Sequence, residues 1–183
     1  MFNWFKKKKD WQEDEGKYKY DPTNVRLNQL RVGSFFDYDF KTWQVKEGYE
    51  YDWGNDHFAD EFQIQEGKDT LFLYVEEDGD LYCTFNKKIN VHELPEEVLD
   101  TIVSKGSPPM RIQFENETYY RQSETIGYSR SHSQKEWSEL VSWAYATKSE
   151  DKLMTIEQSG EEDFNASVGW VVNEHQFSSI IMP

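Results

Sequence analysis

Between Thr42 and Phe85 apolar and polar residues trade places along the chain, and nearly every apolar one is aromatic or β-branched. Trp43-Gln44-Val45 and Glu61-Phe62-Gln63-Ile64-Gln65 show the period of two that marks a half-buried strand. The pattern predicts strands over Trp43–Tyr51, about 61–65, 70–76 and 81–86, after a short opening strand within Leu30–Phe36. Phe40-Lys41-Thr42 reads as a turn, and residues 52–60 (DWGNDHFAD) as a loop rich in Asp, Asn and Gly. Asp78-Gly79 between two apolar runs predicts a tight hairpin, because this pair enters positive φ at little cost.

The period changes once, near 95–104. Leu94, Val98, Ile102 and Val103 form a helical stripe, Pro95 suits a first turn, and Glu96 and Glu97 favour the positive end of the dipole. Gly106 and then Pro108-Pro109 stop the helix. The strand pattern then resumes. Thr118-Tyr119-Tyr120 stands where Thr42-Trp43 stood, Lys135-Glu136-Trp137 matches Asp60-Glu61-Phe62, and Leu153–Glu157 matches Leu73–Glu76. Val91-His92-Glu93-Leu94 and Val172-Asn173-Glu174-His175 are similar tails. The expected fold is mainly β: two related antiparallel β-meander halves, 28–94 and 107–183, joined by the helix. An internal duplication is the simplest source of such an order.

Composition narrows the picture. Of 183 residues, 16% are aromatic, and a chain this long buries a working core without disulfides. Its 35 acidic residues against 20 basic ones leave a formal charge of −15, which repels nucleic-acid phosphates and excludes nucleic acid as an expected partner. Residues 1–10 carry four Lys and one Asp, a formal +3, so the remainder carries −18. Residues 1–27 therefore read as a basic, aromatic tail and polar linker ahead of the domain. Phe2, Trp4 and Phe5 stand directly before Lys6, Lys7, Lys8 and Lys9, the chemistry of a weak contact with anionic lipid. No apolar run approaches the roughly 18–20 residues that cross a bilayer, and no signal peptide is recognisable. A cytoplasmic protein, with some residence at the inner face of the membrane, is expected.

Catalytic motifs are missing. Cys83 is the single cysteine and excludes a cysteine zinc cluster. His57, His92, His132 and His175 share no ligand spacing, and no nucleophile elbow or phosphate loop occurs. Asp52, Asn55, Asp56, Asp60 and Glu61 offer hard oxygens, but His57 and Gln63 occupy the positions where a calcium loop needs Gly and Glu. No metal, cofactor or catalytic residue is expected. What remains is a candidate binding loop, Tyr49, Tyr51, Asp52, Trp53, Asn55 and Asp56, where aromatic rings crowd beside acids.

Val32-Gly33-Ser34, Thr42-Trp43-Gln44-Val45, Tyr49-x-Tyr51-Asp52-Trp53-Gly54, Glu61-Phe62 and Leu73-x-Val75-Glu76 together resemble the bacterial domain-of-unknown-function family 4178. Ser142-Trp143-x-Tyr145, the run from Leu153 through Gly160 and Phe164 to Gly169, and the closing Phe177 and Ile180 are similar too. The resemblance covers about residues 28–183. It implies a bacterial protein often encoded near phage-shock-type membrane-stress proteins, small membrane proteins and polyamine-synthase-like enzymes. It brings no catalytic residue with it. The leading expectation is a non-enzymatic accessory module that binds another protein. The alternative, an enzyme or binder for a cationic metabolite such as a polyamine, would require acids converging with aromatic walls in one concave site.

Overall fold

The computed structural model describes residues 25–183. Five antiparallel strands come first: β1 (Phe35–Tyr38), β2 (Lys41–Gly54), β3 (His57–Glu66), β4 (Asp69–Asp78) and β5 (Asp80–Ile89). Helix α1 (Glu97–Lys105) follows, and then five more strands in the same order of lengths. These are β6 (Arg111–Phe114), β7 (Glu117–Ser131), β8 (Ser138–Ala146), β9 (Leu153–Ser159) and β10 (Asp163–Val172), with a short β11 (Ser178–Ile181) at the end. The fold is mainly antiparallel β with one α-helix among the described residues.

Eight strands close into a barrel, in the order β2-β3-β4-β5-β10-β9-β8-β7, with β7 pairing back onto β2. Closure removes the unpaired edges that an open sheet would leave. One seam joins β5 to β10 over Cys83–Ile89 and Ala166–Val172. The other joins Tyr49–Asp52 to Tyr128–Ser131, where Arg130 Nη2 meets Glu50 Oε2 at 2.7 Å. β2 and β7 can serve two neighbours on one edge because each is long and broken by a bulge, after Val45 in β2 and after Arg121 in β7. The early part of β2 pairs with β1 and its later part closes the barrel. Gly169 makes the β5–β10 seam possible: a Cβ there would lie 2.2 Å from the Phe85 carbonyl oxygen.

The apolar cores lie on the outer face of this barrel. Leu73 and Val75 belong to one core while Tyr74 and Glu76, between and beside them, line the central cavity. The first core packs Phe36, Trp43, Val45, Phe62, Ile64, Cys83 and Phe85 under a cover of Leu27, Leu30, Phe177 and Ile180. In the second, Trp143, Tyr145, Met154 and Ile156 lie beneath Val98 and Ile102 of α1 and Ile112 of β6. Leu27 is fully buried, so the packed domain reaches into the stretch assigned to the linker.

Several boundaries differ from the sequence reading. Residues 52–60 are not a loop; they are two strand ends around a two-residue turn, Asn55-Asp56, with φ of 55° and 62°. Asp39-Phe40, φ 49° and 59°, is the turn expected at residues 40–42, and Lys41 and Thr42 already belong to β2. Within Leu30–Phe36 only Phe35 and Phe36 are strand, because a 3₁₀ turn over Leu27–Gln29 and a bend precede them. The helix starts two residues later than its apolar stripe suggests, and Val103 faces water rather than the core. Gly106 ends it with φ 78°, its N–H donating to the Ile102 carbonyl at 2.7 Å. Lys135-Glu136-Trp137 lies between β7 and β8, whereas Asp60-Glu61-Phe62 is inside β3. The matching tails are two residues out of step with the reading: Asn90 and Asn173 each cap a 3₁₀ turn, accepting from His92 and His175. Trp43, Val45, Phe62, Leu73, Val75, Trp143 and Ile156 are buried, while Val168 is half-buried against the second core.

Candidate functional site

The lumen is a cavity of about 590 Å³ to which all eight barrel strands contribute. It follows from the alternation that the outer cores take most of the apolar positions, so the inner positions are mainly hydroxyls, amides, acids and large polar aromatics, with Ala59, Leu140, Ala144 and Ala146 among them. β5 is the clearest case. Cys83 and Phe85 face the first core, while Tyr82, Thr84, Asn86 and Lys88 line the lumen.

At one side stand three aromatic rings. The Asn55-Asp56 turn closes the β2–β3 hairpin and β2 projects Tyr51 and Trp53, two residues apart, to the same face. Their rings stack with centroids 5.2 Å apart and 15° between planes. Tyr74 of β4 meets Tyr51 edge-on at 6.1 Å. Trp53 has room because Gly127 of β7 lies behind it: a Cβ at that position would come within 2.6 Å of the indole. The polar edges of the rings are fixed. Trp53 Nε1 donates to Tyr74 Oη at 3.1 Å, Tyr74 donates to Glu76 Oε2 at 2.8 Å, and His57 Nε2 lies 2.7 Å from Glu76 Oε1. Burial pushes the Tyr51 and Tyr74 phenols well above their ordinary range, so both are neutral donors.

The acidic part of the wall contains Glu61 of β3 and Glu157 of β9. Glu61 Oε2 accepts from Tyr51 Oη at 3.2 Å and lies 3.9 Å from Lys88 Nζ. The Lys88 ammonium sits 4.9 Å from the centre of the Phe72 ring, so it contacts an acid and an aromatic face together. Glu157 keeps some surface open to the lumen, yet protein crowds its carboxyl. That desolvation raises it from an ordinary 4.5 to about 7, opposed by Lys88 and assisted by the charge of Glu61. Three carboxylates (Glu61, Glu76, Glu157) thus share the lumen with one lysine.

Of the candidate binding loop, Tyr51, Trp53 and Asn55 line this cavity. Tyr49 packs instead beside the small cluster of Tyr51, Ala59 and Leu140. Asp52 accepts from the Gly54 amide at 2.8 Å and Asp56 is exposed, so neither joins the rings. Asp60 and Glu61 are consecutive on β3 and point to opposite faces, which splits the acidic group that resembled a cation loop. Among the described residues no three His, Cys, Asp or Glu side chains converge as metal ligands. Phe2, Trp4, Phe5 and Lys6 to Lys9 lie outside the described residues.

Sequence reasoning weighed Glu61 only as a cation-loop oxygen and passed over Tyr74, Glu76, Lys88 and Glu157 as lumen residues. Each occupies the polar position of an alternating strand, which reads as the solvent side until the barrel is seen to close around it. Cys83 is buried in the first core, where desolvation pushes its thiol up to about 12 and keeps it out of any chemistry. No helix of the described residues is long and apolar enough to cross a membrane.

Residues 31–174 match the model of the family described as Domain of unknown function (DUF4178). The match spans most of the chain, and the protein belongs to that family. No curated protein and no solved structure matches it.

Proposed function

We propose that this DUF4178 protein uses its barrel lumen to bind a small organic cation. One observation carries the reading: the stacked Tyr51–Trp53 pair with Tyr74 and the carboxylates of Glu61 and Glu157 open onto the same cavity. Aromatic faces attract cations through their quadrupole, by up to about 2 kcal/mol where water is excluded. Carboxylates in a closed, low-dielectric wall attract them more strongly than the same groups at the surface. A slender polyamine fits both chemistry and volume. The acidic body, −18 outside residues 1–10, adds long-range attraction for the same ligands. Titration calorimetry with putrescine at about 0.15 M salt tests this, since screening at about 8 Å removes diffuse surface binding. Saturation at one molecule per chain is expected, and Trp53→Ala should weaken it by about tenfold. Heat that never saturates, or that vanishes at this salt, overturns the proposal.

A second reading, an accessory module that binds another protein, is favoured by the β1–β11 edge. Phe35 pairs with Ile181 across it, and both are exposed together with Val32 and Phe40. In this reading the protein is cytoplasmic, and its basic, aromatic residues 1–9 touch anionic lipid at the inner face of the membrane. Partners that co-purify with the wild type should be lost from Ile181→Asp, and equal recovery sinks the idea. For the tail, co-sedimentation with anionic liposomes should fall when residues 1–9 are removed, and equal pelleting ends that part of the proposal.

A further inference from the structure

Glu157 is a carboxyl without a hydrogen-bond donor among the described residues, although its neighbours in the lumen are partnered. Glu61 Oε2 accepts from Tyr51 with Lys88 Nζ 3.9 Å away, and Glu76 Oε2 accepts from Tyr74 with His57 Nε2 2.7 Å from its other oxygen. Protein crowding around a carboxyl that no side chain hydrogen-bonds disfavours its charged form, in line with its raised value. The groups that face it make the same point. Lys88 of β5 is the one cation nearby, and its Nζ already lies 3.9 Å from Glu61. Glu61 of β3 and Tyr51 of β2 add a like charge and a neutral phenol, and Glu76 of β4 is turned toward Tyr74 and His57. Ser142 of β8, directly across from Glu157, contributes a hydroxyl and no charge, as do Ser167 of β10 and Thr125 of β7.

Lys88 also indicates what this part of the wall would accept. Its ammonium is held by an acid and a ring face, so the wall already stabilises a tethered primary ammonium. A free primary ammonium has three N–H donors to place, and Glu157, the second oxygen of Glu61 and the Ser142 hydroxyl are acceptors for them. A quaternary ammonium has no donor and would leave those acceptors unmet.

Resting on the cation reading above, we infer that the lumen selects a primary ammonium, which seats at Glu157 in place of a proton on that carboxyl. At Glu157 the exchange is one for one: one ammonium group of the ligand enters and one proton leaves to solvent. Glu157 is then a specificity residue, and affinity rises with pH until the carboxyl is ionised without help from the ligand.

Calorimetry on the full chain tests the exchange. Putrescine and its fully N-methylated analogue are titrated near pH 6 and pH 8, in two buffers of different ionisation heat, into wild type and Glu157→Gln. Putrescine stays fully charged across this range, as alkylamines do. The wild type should bind it about tenfold more tightly near pH 8 than near pH 6, and release close to one proton at the lower value. The methylated analogue should bind at least about tenfold more weakly. Glu157→Gln, a shape-matched neutral side chain, should show a flat pH profile and no proton release. A pH dependence retained in that variant therefore overturns the assignment. So does wild-type binding of putrescine without proton release, or equal affinity for the methylated analogue; each of these leaves the cation reading standing. Absence of putrescine binding at both pH values overturns the cation reading and this inference together.

Discussion

The two faces of one sheet make opposite use of the same residue types. On the outer face of the barrel, Phe62, Phe85 and Trp143 are sealed into cores by β1, β11 and α1. On the inner face, Tyr51, Trp53 and Tyr74 surround open space and keep their polar edges hydrogen-bonded to one another and to acids. In a small barrel the interior is usually where side chains fill the core. Here most of the apolar burial lies outside, with only the small Tyr51, Ala59 and Leu140 cluster within, and the interior is left largely to polar groups. Stability and binding should therefore separate by face.

The largest effect expected from that separation is Trp143→Ala. The indole is 1% exposed, and its Nε1 donates to Glu124 at 2.8 Å, so truncation should cost roughly 3–5 kcal/mol in denaturant unfolding. A loss below about 1 kcal/mol would mean that the outer face is not the core. Gly169→Ala should come next. Its added Cβ would sit 2.2 Å from a backbone oxygen that cannot rotate away, so the β5–β10 seam must part, at a cost of about 2–3 kcal/mol. A neutral result would show that the seam is not closed as described.

Glu157→Gln should act in the other direction. Because the fold raises this carboxyl from 4.5 to about 7, the folded chain binds its proton more tightly than the unfolded chain does. Stability is then lost as pH climbs between those values, and the cost is complete above about 7. Glutamine removes it, so the variant should be more stable than wild type by about 2 kcal/mol near pH 8 and no different near pH 4. Equal stability of the two proteins near pH 8 would place Glu157 in water. The smallest effect belongs to Thr155→Val, a lumen position with no part in either core, where unfolding should shift by no more than about 0.5 kcal/mol. A loss of about 2 kcal/mol there would erase the distinction between the faces.

Much of the local structure was legible in the chain. Trp43-Gln44-Val45 and the 61–65 run are strands because β-branched and aromatic residues recur every second position, and that signal needs no tertiary context. The Asp78-Gly79 hairpin and the Gly106 stop rest on backbone preferences of single residues. The Asn55-Asp56 turn was missed because its neighbours are also polar, so composition spread the turn signal over nine positions.

The site was legible only in part. Tyr51 and Trp53 stood out by crowding, but Glu61, Lys88 and Glu157 were ordinary polar members of alternating strands. Alternation divides a strand into two faces and says which face is apolar. It does not say which face ends up enclosed. By itself the sequence determined the strands, their hairpins, the helix and its stop, because these depend on residues within a few positions of one another. Closure of β2 on β7 and of β5 on β10 joins residues about 80 positions apart, as Glu50 and Arg130 are, and only that closure turned the polar face inward. Whether an acid meets bulk water or a desolvated wall is set by what surrounds it in three dimensions, so the tertiary structure alone decided that Glu157 lines the lumen.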